Sequence, residues 1–328
     1  MTRKRSRTGQ AGAVKRPSGA SAGRAGRVAP PSVEGHATAR RRALPAQPEG
    51  RSELLGLDQG LPRLHKALAE MGHGSRRQIE QWIADGRVSV NGTPARLGQR
   101  VEPGDAIALD GKPLSGQRPG TSRVLVLNKP EGLVCTRRDP EGRRTVFDSL
   151  PRLRQGRWIA VGRLDIATTG LLVLTNDGAL AHRMMHPSTG LDREYAVRAY
   201  GRLDDAWMQR LIDGVVIDGE RYAFTDLRYY DGKGRNHWYH VALMDGRNRA
   251  VRKLFERAGL TVSRLKRVRF GPVVLPATLP RGRFAELGPA DLKALYSLLK
   301  LAPELPRHPP RRKDQATMLI PYPELGNP

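Results

Sequence analysis

One acidic residue stands out by its setting. Asp165 lies in Val161-Gly162-Arg163-Leu164-Asp165-Ile166-Ala167-Thr168-Thr169-Gly170, between the apolar runs Trp158-Ile159-Ala160-Val161 and Leu171-Leu172-Val173-Leu174. The flanking glycines and threonines predict a bend, and the apolar runs predict buried strands. A bend held between strands can aim one carboxylate into a cleft, as a nucleophile or general base requires. The same residues also suit an aspartate that only hydrogen-bonds its own turn. A carboxylate that stays ionised in a dry cleft needs a cation nearby, because burial otherwise raises its pKa. Arg163 is two positions away, and Arg252 offers a planar, bidentate donor. Arg249, Lys253 and Arg257 recur at i, i+4, i+8 on the helix carrying Arg252 and suit phosphates, or else form a solvated basic face. Tyr195, in Arg193-Glu194-Tyr195, offers a ring for an unstacked base and a hydroxyl for proton transfer, or is simply a half-buried strand tyrosine.

Other chemistries find no support. The closest histidine pairs, His182/His186 and His237/His240, lack a carboxylate or thiol partner at metal-ligand spacing, and Pro187 ends the helix that would carry the first pair. No metal site is expected. Cys135 is the only cysteine, which excludes an intramolecular disulfide and a cysteine-rich zinc site. There is no GxGxxG, Walker A or GxSxG motif, so nucleotide-cofactor and serine-hydrolase readings fall away.

Charge points to the partner. The 328 residues carry 57 Lys and Arg against 32 Asp and Glu, a formal net charge of +25, which calls for a polyanion. Residues 1–45 contain eleven basic residues against Glu34 alone, leaving 46 basic and 31 acidic residues for the remainder, so the folded part is basic as well. No apolar run approaches the roughly 18 residues of a membrane span. The basic N-terminus lacks the apolar region of a secretory signal, so a cytoplasmic protein is expected. Its Arg-, Ala- and Ser-rich, acid-poor composition also suits an organelle transit peptide.

The elements that must position these residues read as α+β. Residues 1–58 are expected to be a disordered basic tail and 59–111 a small αα-β domain. In that domain Leu61, Leu64, Leu68 and Met71 mark one helix, and a capping box from Ser75 to Gln78 opens a second with Ile79, Trp82 and Ile83. Val88-Ser89-Val90 then enters an Asn91-Gly92 hairpin. Arg76 and Arg77 at the second helix's N-terminus oppose its dipole, a cost that a bound phosphate would offset. With Arg63, Lys66 and Arg87 they make a basic, RNA-binding surface or a solvated one. Residues 112–122 read as a linker, 123–301 as a second domain of hairpins and helices, and 302–328 as a Pro-rich tail.

Residues 61–111, through the run from Ser75 to Gly92, resemble the S4 RNA-binding domain. The runs Asn128-Lys129-Pro130-x-Gly132, Gly162-Arg163-Leu164-Asp165-x-x-Thr168-x-Gly170, Arg193-Glu194-Tyr195 and Gly246-Arg247-Asn248-Arg249-x-Val251-Arg252-Lys253 resemble the pseudouridine synthases that act on ribosomal RNA. Details such as Cys135-Thr136-Arg137 and Asn236-His237-Trp238-Tyr239 place the resemblance with the large-subunit enzymes. The resemblance implies a mixed, mainly antiparallel sheet with flanking helices. It also implies isomerisation of a uridine near the peptidyl transferase centre of 23S ribosomal RNA, free or in a pre-50S particle, by a cofactor-free monomer. Asp165, Tyr195 and Arg252 would be catalytic, with Arg252 paired to Asp165. Attack at C1′, attack at the base and proton removal from C2′ are competing schemes for Asp165. Arg163, Thr168, Lys129, Arg249, Lys253, Arg63, Lys66, Arg76, Arg77 and Arg87 would contact RNA. The same chemistry on 16S ribosomal RNA, or a noncatalytic RNA-binding assembly factor, are the alternatives.

Overall fold

The computed structural model describes residues 60–114, 121–154, 156–244, 246–305 and 317–323. The expected N-terminal tail and linker residues 115–120 lie outside them. Residues 60–114 form helices α1 (Leu64–Glu70) and α2 (Arg76–Ala84) over a four-stranded sheet. Ser75 caps α2, its hydroxyl accepting from the Gln78 N–H at 3.1 Å. Leu64, Leu68, Ile79 and Ile83 bury their side chains against Val88 and Val90 of β1 (Val88–Val90). Strands β2 (Thr93–Pro94), β3 (Ile107–Leu109) and β4 (Lys112–Pro113) complete the sheet in the order β2-β1-β3-β4. Asn91 and Gly92, at φ 51° and 79°, make the expected left-handed hairpin. Lys112 and Pro113, read from composition as linker, are instead a strand. Asp110 and Gly111, at φ 51° and 74°, supply a second turn of the same kind.

The larger sheet runs through β5 (Val124–Lys129), β6 (Ile159–Val161), β7 (Thr168–Thr175), β8 (Arg193–Tyr200), β11 (Asp226–Lys233), β12 (Asn236–Leu243), β13 (Thr261–Phe270), β14 (Val273–Val274) and β15 (Phe284–Glu286). Its main order is β11-β12-β8-β13-β7-β5-β15, with β6 on β7 and β14 on β13. Every described pair is antiparallel except β13 with β7, so the sheet is mixed and mainly antiparallel. A separate hairpin joins β9 (Val215–Ile217) and β10 (Glu220–Tyr222).

Helices α3 (Gly178–Met185) and α6 (Pro289–Leu298) cover one face at the β5–β7 end, where Leu180, Met184, Leu295 and Tyr296 pack on Val124, Val126, Leu171 and Val173. The opposite face there holds Leu125, Leu127, Leu172 and Leu174 with Trp158 and Leu164. Burial on both faces is what continuous apolar strands require. At the other end, α4 (Asp205–Asp213) and α5 (Ala250–Arg257) cover Val197, Ala199, Tyr239, Val241 and Leu265.

Part of the segment read as a Pro-rich tail is built into this domain. Met318 is 3% exposed within the layer beneath α3 and α6. Val274 donates its N–H to the Met318 carbonyl at 2.9 Å, and the Tyr322 hydroxyl donates to Asp192 at 2.8 Å.

Gly170 is where β7 meets β13 most closely. Its φ is +98°, and a β-carbon there would collide with the Arg267 carbonyl. Gly170→Ala is therefore expected to destabilise the protein by roughly 2–4 kcal/mol. Urea unfolding of the variant checks this, and a wild-type midpoint would contradict the assigned close approach.

Candidate active site

The Asp165 bend is closed by its main chain. The Thr168 N–H donates to the Asp165 carbonyl at 3.0 Å, and no described hydrogen bond or ion pair reaches the carboxylate, which is exposed. Of the two readings open for this aspartate, the backbone makes the turn and leaves the side chain free for chemistry.

Lys129 holds the bend in place. Its side chain is fully buried, and Nζ lies 3.1 Å from the Pro130 carbonyl, 3.1 Å from that of Asp165, 3.3 Å from Ile166 and 2.9 Å from Thr168. An ammonium has three donors and no acceptor, so converging carbonyls are the environment it needs when removed from water. Burial pushes its pKa down, and the charges of Cys135, Asp165 and Glu131 act the other way. Lys129 does not line the cleft, so its place is behind the bend and not on RNA.

The carboxylate opens onto a cleft of about 730 Å³ lined by Arg163, Thr168, Tyr195, Arg249 and Arg267, among others. Tyr195 on β8 is register-paired with Arg267 on β13, which is paired in turn with Gly170. Strand register thus puts the tyrosine and this arginine on one face beside the bend. Arg267 is 3% exposed; its Nε donates to the Leu171 carbonyl at 2.8 Å, and its Nη2 has no partner. The Thr168 hydroxyl, also buried, is likewise unpartnered. Arg249 begins α5 in a left-handed conformation, φ 56°, a geometry that a non-glycine residue adopts only where its surroundings enforce it.

Arg252 is not ion-paired with Asp165, contrary to the pairing the resemblance implies. Its guanidinium donates to the Val262 carbonyl at 2.9 Å and to the Ala167 carbonyl at 3.4 Å, tying α5 to β13 and to the bend. Burial, then the charge of Arg249, push its pKa down, while Asp165 acts in the opposite direction. Arg252 is thus a tie to the loop that carries Asp165 and not a partner of its carboxylate.

The remaining sequence candidates separate by position. Lys253 is bound to Asp218 at 2.8 Å and lies outside the cleft lining. Arg63, Lys66, Arg76, Arg77 and Arg87 are exposed on the small domain, but Arg87 makes hydrogen bonds of 2.9 and 2.6 Å to Asp110, and Lys66 is 4.0 Å from Glu70. Arg267 and Cys135 line the cleft and were not singled out as site residues. Alternation along β13 would have placed Arg267 on one side of a strand, but only the register with β8 puts it beside Tyr195. Burial pushes the Cys135 thiol up, opposed by its contact with the Leu164 N–H and by nearby cations. Among the described residues no cluster of three His, Cys, Asp or Glu could hold a metal, and no helix is long and apolar enough to cross a membrane.

Residues 123–257 match the family described as RNA pseudouridylate synthase, and residues 62–107 match the S4 domain. A ribosomal large subunit pseudouridine synthase B of Pseudomonas aeruginosa is 54% identical over 244 residues, 74% of this chain and 63% of that protein. Its counterpart of the same description in Escherichia coli K12 is 51% identical over 260 residues, 78% of this chain and 89% of that one. A crystal structure of a pseudouridylate synthase superposes with a TM-score of 0.50 at 26% identity, covering 71% of this chain and 99% of the other.

Two expectations follow from the packing. Lys129→Met leaves buried carbonyls without a donor and should cost roughly 2–5 kcal/mol, with Lys129→Arg failing to restore it because a planar fork cannot meet the same carbonyls. Urea denaturation measures both, and wild-type stability for the methionine variant would refute the staple. Iodoacetamide should alkylate Cys135 at least about tenfold more slowly in the folded chain than in urea at pH 8. Equal rates would show that the thiol is neither shielded nor held protonated.

Proposed function

The chain belongs to the RNA pseudouridylate synthase family, and from that premise we propose that it isomerises a specific uridine of 23S ribosomal RNA to pseudouridine. The observation that carries the reading is the free Asp165 carboxylate in a cleft shared with Tyr195, Arg163 and Arg267. The target nucleotide is flipped from its stack into this cleft. Tyr195 stacks on the uracil ring. Asp165 initiates cleavage of the bond between C1′ and N1. The uracil turns while held, C5 bonds to C1′, and the proton lost from C5 is balanced by one gained at N1. Tyr195 assists the transfer from C5. The sum is an isomerisation without redox change, so the chemistry needs no cofactor.

Arg252 and Lys129 support Asp165 from behind, the first by its bond to Ala167, the second by holding the carbonyls of the bend. Arg163, Thr168 and Arg249 face the substrate. Arg63, Lys66, Arg76 and Arg77 extend RNA contact onto the S4 domain, where Arg87, already paired with Asp110, contributes less. The two relatives named for the large ribosomal subunit support 23S over 16S ribosomal RNA. A monomer working in the cytoplasm on free or assembling ribosomal RNA fits this chemistry.

Tritium release from 5-tritiated uridine in ribosomal RNA tests the reading. The wild type should release tritium, and Asp165→Asn should lose roughly 10²-fold or more of the rate while binding RNA as before. Release by the asparagine variant at the wild-type rate would remove Asp165 from the mechanism. A wild type inactive on 23S transcripts and pre-50S particles alike would leave a noncatalytic RNA-binding assembly factor.

A further inference from the structure

Strands β8, β12 and β13 have two unlike faces. Val197, Ala199, Tyr239, Val241 and Leu265 point towards α4 and α5, on the side where Tyr195 and Arg267 line the cleft. The intervening side chains point the other way. Among them are Arg198, Tyr200, Trp238, His240, Arg264 and Lys266, none of them buried, with Glu194 and the small Ala196 and Ala242 towards one end. At the β5–β7 end this reverse face is covered by α3 and α6. Over β8, β12 and the first part of β13 no described core cluster covers it.

Register makes the reverse face an ordered array. Trp238 is paired with Arg198 and Arg198 with Arg264, giving one row across three strands; His240, Ala196 and Lys266 form the next. The Arg198 guanidinium lies 5.9 Å from the centre of the Trp238 ring and donates from Nε to the Ser263 hydroxyl at 3.0 Å. Glu194, an acid on this face, is taken up by His240 at 3.3 Å and by Arg269, and no acidic side chain is ion-paired with Arg198, Arg264 or Lys266 among the described residues. Aligned cations on a rigid sheet repel one another, and an anionic partner offsets that repulsion. The N-terminal segment does not suit the role, because its first 45 residues carry eleven basic residues against one acid.

We propose that this reverse face is a second RNA contact, which takes a segment of the folded substrate other than the strand bearing the target uridine. The rings of Trp238 and Tyr200, with the Arg198 plane, match unstacked bases, while Arg264 and Lys266 match phosphates. RNA in the Asp165 cleft lies on the opposite face of the same sheet, so the segment bound here belongs to a distant part of a large RNA. This rests on the function proposed above. It assigns the sheet the task of recognising the architecture around the uridine.

The test compares a short transcript around the modified uridine with full-length 23S ribosomal RNA, using tritium release by the full chain and its Arg264→Glu, Trp238→Ala and Trp238→Phe variants. On the short transcript all should match the wild type in kcat and KM. On the full-length RNA, Arg264→Glu and Trp238→Ala should each raise KM about fivefold or more, with Trp238→Phe retaining most of the affinity. For Arg264→Glu the salt dependence should also weaken, by about 0.7–0.9 in the slope of log affinity against log salt. Unchanged KM on full-length RNA, or equal losses on both substrates, would overturn the proposal. Loss from Arg264→Glu with none from Trp238→Ala would also overturn it, in favour of a charge-only contact such as an acidic protein segment. Should the wild type release no tritium from either RNA, the proposed activity fails by itself. Filter binding of full-length RNA then decides the second contact: weaker binding by both variants supports it, and equal binding rejects it.

Discussion

The site depends on one buried ammonium. Lys129 enters at the end of β5 and gathers four main-chain carbonyls, three of them from the bend that carries Asp165. A bend has no ladder of its own to hold it, and two or three residues of loop otherwise sample many conformations. A charged donor without water must have acceptors, so the need to satisfy Lys129 and the need to fix the bend are met together. The consequence is directional. With its carbonyls committed inward, the bend sends its carboxylate outward, and the Asp165–Thr168 turn leaves that carboxylate without an internal hydrogen bond.

The basic residues of this chain divide into two populations that differ in whether the protein itself supplies the counter-charge. Arg123 is paired with Glu286 at 2.7 Å, and Arg269 sits between Asp192 and Glu194. Burial acts to lower the Arg269 pKa, and the hydrogen bonds and charges of Glu194 and Asp192 overcome it. These arginines fasten strand ends, and Asp192 also receives the Tyr322 hydroxyl from the C-terminal segment. Around the cleft the pattern is mixed: Arg249 is paired with Glu256 at 3.3 Å and Arg247 with Glu220 at 3.2 Å, while Arg252 and Arg267 have no carboxylate partner among the described residues. Arg267 is buried with one nitrogen unpartnered, and Arg252 is bonded only to carbonyls, close to the like charge of Arg249. Cations without a carboxylate partner in such a place raise the local potential and draw in a polyanion.

The two faces of the large sheet extend the same logic. Where helices lie on it, alternation delivers valine, leucine and alanine to the contact; where none lies on it, alternation delivers arginine, tryptophan and tyrosine. A period of two therefore separates the catalytic side from a basic, aromatic side without added chain.

Much of this was legible in the residues themselves. The Gly- and Thr-flanked aspartate, the strands around it, the Ser75 cap, the Asn91-Gly92 turn and the amphipathic α5 are local features, and local sterics and hydrogen bonding settle them within a few residues. The basic balance likewise names a polyanion before any fold is known. Other features depended on residues far apart in the chain. Lys129 read as an RNA contact until its carbonyl partners, up to 39 residues away, were in place. Lys253 read as a phosphate contact or part of a solvated face, and its bond to Asp218 appeared only in the fold. Arg252 belonged to the right helix, but its donors went to main-chain oxygens instead of to Asp165. Arg267 had no distinction within a basic strand until β8 brought Tyr195 opposite it. The amino-acid order alone determined which groups could do chemistry and which turns would present them. Which of the many cations stand free in the cleft was decided only by tertiary structure, because pairing, burial and strand register are properties of neighbours that the chain brings together from a distance.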